Sequence, residues 1–233
     1  MNKSRNSLSK KIITEVIGYC NRDLIPDDPC SATVTFPSEW FTQYFSFLND
    51  PALETHLGDA FYQARFMYKL MSALRLPLAK QKGIVKFQIV QYASICEAIL
   101  DTTITTYFKN DAEKAFSVSE YRKCSNAVSK STKITYESAE LSLCKLETKK
   151  GVLKRTRIDK KTEFAVNKGL FSQATKDAVD SLYDLRNNIH ILKAADSQYT
   201  PKLREAKEAF VLMKAFVSEI KAYYFAHPIS HQA

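Results

Sequence analysis

All seven prolines of this chain lie at or before Pro77 or at or after Pro201, so residues 78–200 contain no residue that forbids the interior of a helix. Only five glycines occur in 233 residues. Long helices are therefore the expected product of the central stretch, and the chain is of a size to bury one core, with an elaboration attached. We expect an all-α fold: a helical domain over 81–233, preceded by a helical extension over 1–80.

Hydrophobic periodicity fills in the elements. Leu8, Ile12, Ile13, Val16 and Ile17 have helical spacing, and "NRDLIPDDPCSATVTFP" breaks it. Ser38 is the expected N-cap of "EWFTQYFSFL", which "NDP" closes. After Pro51, Leu53, Leu57, Ala60, Ala64, Met67, Met71 and Leu74 recur at threes and fours, the stripe of a core-facing helix that Pro77 stops. Gly83 is expected to mark the start of the next helix, which reads as residues 84–108 and is interrupted by one central acid, Glu97. That carboxylate either reaches water at the edge of the helix or holds a cation, because burying it alone is too costly.

Ser117 to Glu120, "SVSE", has capping-box spacing and predicts another helix. "KITYESAELSLCKLE" fits a continued helix or a strand-like alternation; we read it as helix followed by an irregular basic loop. "KTEFAVNKGLF" predicts a short helix closed by Gly169. Ser172 caps the next one, which runs through "SLYDLRNNIHILKAAD", and a last amphipathic helix follows Pro201.

Charge is unevenly spread. Of the net +9, an excess of eight arises between Tyr121 and Lys161, where twelve Lys or Arg face four acids. Such a segment attracts polyphosphate or an acidic partner, or serves as a solvated connection. Lys149, Lys150, Lys154, Arg155 and Arg157 are the candidate nucleic-acid contacts within it. The five cysteines are odd in number and scattered, as in a reducing compartment. The N-terminus starts basic and turns apolar, but Glu15 interrupts the run, so no signal peptide, membrane span or membrane partner is expected and the localisation reads as cytoplasmic.

The stretch "SLYDLRNNIHILKAAD" raises the functional question. Ala178, Leu182, Leu185, Ile189 and Leu192 step by four and three and define the expected buried face. Arg186 and His190 lie one turn apart, with Asn187 beside them and Tyr183 one turn earlier. This is either the wet side of a helix or a cluster with chemistry. His190 can take or give a proton near neutral pH, Arg186 offers a fixed cationic fork to phosphate oxygens, and Asn187 can orient either. His56, His227 and His231 are dispersed without metal-ligand spacing, and no phosphate-cradling glycine loop, nucleophile elbow or CxxC pair occurs. Neither metal nor cofactor is expected.

"FAVNKGLFSQATKDAVDSLYDLRNNIHI", preceded by "ASICEAIL" and followed by a long terminal helix, resembles the HEPN superfamily over about residues 84–225. The resemblance implies a helical bundle whose late helix carries an Arg, commonly an Asn, and then a His. It implies a metal-independent ribonuclease that works as a homodimer in toxin-antitoxin or phage-defence systems, with RNA as substrate and an inhibitor or activator protein as partner. On that basis Arg186, His190 and Asn187 would be catalytic and Glu97 and Tyr183 supporting, with Glu97 holding Arg186. The spacing departs from the family, whose nucleases place four to six residues between Arg and His; here Asn187, Asn188 and Ile189 intervene. The tyrosine that some members carry two residues beyond the His is Leu192. The alternative is a non-catalytic module of the same fold that binds RNA or a protein partner.

Overall fold

Breaks in the sequence pattern become helix boundaries. The computed structural model describes residues 2–20, 37–123, 135–137, 139–140, 144–189 and 199–228. Its elements are α1 (Asn2–Cys20), α2 (Pro37–Gln43), a 3-10 turn (Ser46–Leu48), α3 (Pro51–Ala73), α4 (Leu78–Ala115), β1 (Val118–Lys123), β2 (Thr135–Tyr136), β3 (Ala139–Glu140), β4 (Cys144–Lys149), a second 3-10 turn (Leu153–Arg155), α5 (Ile158–Asn167), α6 (Gln173–Asn188) and α7 (Leu203–Ala226). The fold class is all-α, as expected. Asp50 starts α3 by accepting the Leu53 amide at 3.0 Å, with Pro51 in the first turn where its missing N–H costs nothing. Gly169, at φ +71°, turns the chain between α5 and α6, a conformation that side-chain-bearing residues avoid.

Helix α4 is the axis of the molecule, with α3, α5, α6 and α7 around it. Ile89, Tyr92, Ile95, Cys96, Ile99, Leu100 and Ile104 on α4 are all buried, so its apolar surface is spent on the protein's own core. By length and composition this helix is apolar enough to cross a membrane, yet half of its most apolar window is buried inside the protein. The expected boundary at residue 80 falls near the turn between α3 and α4, and the apolar residues on its two sides form one cluster: Trp40, Phe41, Phe45 and Phe61 meet Ile89, Tyr92 and Phe216. Arg65 is buried with them, its guanidinium 4.2 Å from the centre of the Phe210 ring. Burial pushes the Tyr92 hydroxyl up to about 12, with Arg65 pulling against it.

Several expectations are corrected. Helix α4 starts at Leu78, directly after Pro77, and Gly83 lies inside it. Pro37 rather than a residue after Ser38 opens α2, since proline's fixed φ suits a first turn. The "SVSE" stretch begins strand β1, not a helix, and "CKLETK" is strand β4, not the end of one. The two strands pair antiparallel from Val118 opposite Lys149 to Lys123 opposite Cys144. Pairing with a distant segment satisfies the backbone groups that a local helix would have satisfied. Within the stretch read as a continued helix, Thr135–Tyr136 and Ala139–Glu140 form a second small antiparallel pair instead.

Candidate functional site

Helix α6 carries Arg186 and Asn187, and its first turn is fixed from two sides. The Ser172 hydroxyl accepts the Thr175 amide at 3.3 Å. From α7, the Glu219 carboxylate accepts the Ser172 amide at 2.7 Å, the Ser172 hydroxyl at 3.1 Å and the Thr175 hydroxyl. Asp180, midway along α6, receives the Thr162 hydroxyl of α5 at 2.7 Å and Lys176 at 2.8 Å. The first turn and the middle of α6 are thus tied before its last turn is reached.

Partial burial raises the Glu219 carboxyl, but its donors outweigh this, from Thr175 and then from Ser172, so it sits below the ordinary glutamate range. A lowered acid stabilises the fold above the unfolded-state value of about 4.3, and that contribution fades as pH falls through the folded-state value. Glu219→Gln should therefore melt below the wild type at neutral pH, and the two melting temperatures should converge in acid. A constant gap across that range would show that Glu219 acts through shape alone.

The buried face of α6 consists of Thr175, Val179, Leu182 and Tyr183, rotated from the expected one: Ala178, Leu185 and Ile189 are half-buried. Tyr183 is consequently 4% exposed rather than part of an open polar cluster. The reason is the neighbour: α4 presents its apolar surface to this side of α6, and an aromatic ring fills it. The guanidinium of Arg186 lies 5.4 Å from the centre of the Tyr183 ring, within cation–π range. Burial first, and then the Glu97 carboxylate, hold the Tyr183 hydroxyl well above the ordinary tyrosine range, with Arg186 opposing them. Among the described residues that buried hydroxyl has no hydrogen-bond partner of good geometry.

Arg186, Tyr183 and Glu97 are therefore brought together, with Asn187 half-buried next in the chain. A cation in the last turn of a helix is also favoured by the helix dipole. Glu97 does not hold Arg186 by an ion pair. Its nearest cation among the described residues is Lys161 of α5, at 3.7 Å. His190, and Leu192 beyond it, lie outside the described residues.

Lys161 is the residue that the sequence reading missed. Its side chain is 1% exposed, and its ammonium meets the Asp101 carboxylate at 2.7 Å, one helical turn after Glu97. Desolvation raises the Asp101 carboxyl, and Lys161 counteracts it. A signal existed: Ile158, Lys161, Thr162 and Ala165 form an i, i+3, i+4, i+7 row, so the lysine occupies a position where an apolar residue is expected.

The basic segment divides. Lys149, Lys150, Arg155 and Arg157 line one concave cavity of about 320 Å³ together with Lys160, between the end of α4 and the start of α5. Lys154 is not among its walls, and its charge acts on Asp101 instead. The strands that frame the cavity carry cross-strand pairs between Arg122 and Glu147 at 3.3 Å and between Lys149 and Glu120. Among the described residues no three His, Cys, Asp or Glu side chains converge as metal ligands.

Comparison of this chain with protein-family models, with curated proteins and with solved structures yields no match.

Proposed function

We propose that this chain is a metal-independent endoribonuclease of HEPN type, working as a homodimer in the cytoplasm, in a toxin or phage-defence system with an inhibitor or activator protein. The observation that carries the reading is the ordering of Arg186. The residue is half-buried in the last turn of α6, four residues before His190, with its guanidinium 5.4 Å from the centre of the Tyr183 ring and near the charge of Glu97. A cation held in this way loses little freedom when it grips a phosphate.

The chemistry needs no metal. The ribose 2′-oxygen attacks the adjacent phosphorus, the bond from phosphorus to the 5′-oxygen breaks, and a 2′,3′-cyclic phosphate and a 5′-hydroxyl result. One His190 takes the proton from the 2′-hydroxyl. His190 of a second copy returns a proton to the departing 5′-oxygen, which is the physical reason for a dimer. Arg186 stabilises the negative charge that builds on the phosphate oxygens, and Asn187 orients the histidine or the substrate.

A second reading, an RNA-binding module without catalysis, is favoured by the basic cavity, which needs no histidine to hold a polyanion. The test is cleavage of total RNA in EDTA by the wild-type protein, His190→Ala and Arg186→Ala, with fragment size and end chemistry both read. Cyclic-phosphate ends from the wild type that vanish in both variants are expected. Intact RNA bound by the wild type would transfer the assignment to the binding module, and cleavage that survives His190→Ala would overturn the mechanism.

A further inference from the structure

The cavity at the base of the β1–β4 ribbon has an electrostatic imbalance that folding alone does not explain. Five cations line it and no carboxylate does. Three are neutralised from outside: Lys149 by Glu120, Lys150 by Glu113 at 3.3 Å and Arg157 by Asp159 at 3.1 Å. Arg155 and Lys160 have no ion-pair partner among the described residues, and both are exposed. Two cations without a carboxylate partner among the described residues, lining one concavity, are an arrangement that an anion relieves.

The walls are set in advance. The Gly151 amide donates to the Glu113 carbonyl at 3.0 Å, tying the chain after β4 to the end of α4. A Cβ on Gly151 would come within 2.6 Å of the Phe116 backbone carbon, so only glycine permits this crossing. The charged lining consists of side chains, and the acid in the first turn of α5, Asp159, is engaged by the Arg157 guanidinium. At about 320 Å³ the cavity lies at the small end of ligand sites, which run from roughly 300 to 1,000 Å³. Val118 and Val152, both at least half exposed, give it an apolar flank beside the charges.

We propose that this cavity is a phosphate subsite for a single-stranded polynucleotide, with Arg155 and Lys160 as its principal ligands and Val118 and Val152 flanking the sugar. The assignment of the occupant rests on the RNA reading above. It separates binding from cutting: the subsite anchors the strand through residues distinct from Arg186, Asn187 and His190. Lys160 and Lys161, adjacent in α5, join the two places, one lining the cavity and the other engaging Glu97 beside Tyr183.

The experiment measures binding of a fluorescent 2′-O-methyl RNA oligonucleotide, which cannot be cleaved through its 2′-oxygen, across a salt series. It compares the wild type, Arg155→Ala/Lys160→Ala and a charge-matched control, Lys82→Ala/Lys207→Ala, with inorganic phosphate titrated in parallel. The cavity variant should bind about tenfold more weakly near 0.1 M salt and show a salt slope smaller by about 1, while the control stays close to wild type. Equal losses in the two variants would overturn the subsite and leave the RNA reading in place. Failure of the wild type to bind the RNA even at low salt would overturn both. Tight binding of inorganic phosphate that depends on Arg155 and Lys160, without RNA binding, would reassign the cavity to free phosphate.

Discussion

Phe61→Ala is expected to lower the unfolding free energy by about 3–5 kcal/mol, a fifth or more of the roughly 5–15 kcal/mol of an ordinary domain, without splitting the transition. Phe61 is fully buried on α3, and its ring lies 4.9 Å from Phe41 of α2, 6.4 Å from Tyr92 of α4 and 6.0 Å from Phe210 of α7. Truncation removes a ring that joins four helices, and the surrounding aromatic groups cannot all close on the void. Trp40, the sole tryptophan, lies in α2, so its fluorescence reports the N-terminal segment while circular dichroism reports the helices as a whole. In denaturant the two signals should coincide in the wild type and in the variant. Loss of the Trp40 signal ahead of the helices would show that residues 37–73 form a separable extension rather than part of the common core.

Lys161→Met is the second large effect. Breaking a buried ion pair from one side costs about 3–5 kcal/mol, because the remaining charge has lost its compensation. Asp101 and Glu97 retain 24% and 38% side-chain exposure, so water offsets part of that and about 2–4 kcal/mol is expected. Adding Asp101→Asn should recover most of the loss, since the nearer and more buried of the two stranded charges is then gone.

The pH dependence follows from Asp101, whose carboxyl burial already raises. A raised acid binds its proton more tightly in the folded state, so stability falls as pH rises from the unfolded value of about 3.9 through the folded one. Without Lys161 that window widens upward. The deficit of Lys161→Met should therefore be smallest in acid and grow toward neutral pH, as measured by denaturant midpoints. A deficit independent of pH, with no recovery on adding Asp101→Asn, would mean that Lys161 matters for its volume and not for its charge.

The chain's local punctuation was legible without a structure, and particular residues show why. Pro51, Pro77, Gly169 and Ser172 act within one turn of themselves, and each lies at a helix boundary in the fold. The basic segment was also legible as charge, and four of its five candidate contacts meet at one cavity. Glu97, Tyr183 and Arg186 were legible as a group through the spacing of α6 and the resemblance of its surroundings.

What the sequence left open depends on partners far along the chain. The β1–β4 ribbon pairs Val118 with Lys149, and nothing inside either segment specifies that register; taken alone, "CKLETK" serves a helix as well as a strand. The rotation of α6 that buries Tyr183 was decided by the surface of α4, since a stripe of threes and fours leaves the helix free to turn by one residue. Lys161 finds Asp101 across sixty positions of sequence, and only the docking of α5 on α4 makes a buried lysine tolerable there. Helices and their ends were set by the sequence itself, through hydrogen bonds and caps that close within a few residues. The ribbon, the buried ion pair and the cavity were set by the tertiary structure alone, because the backbone partners and counter-charges they require come together only when distant segments meet.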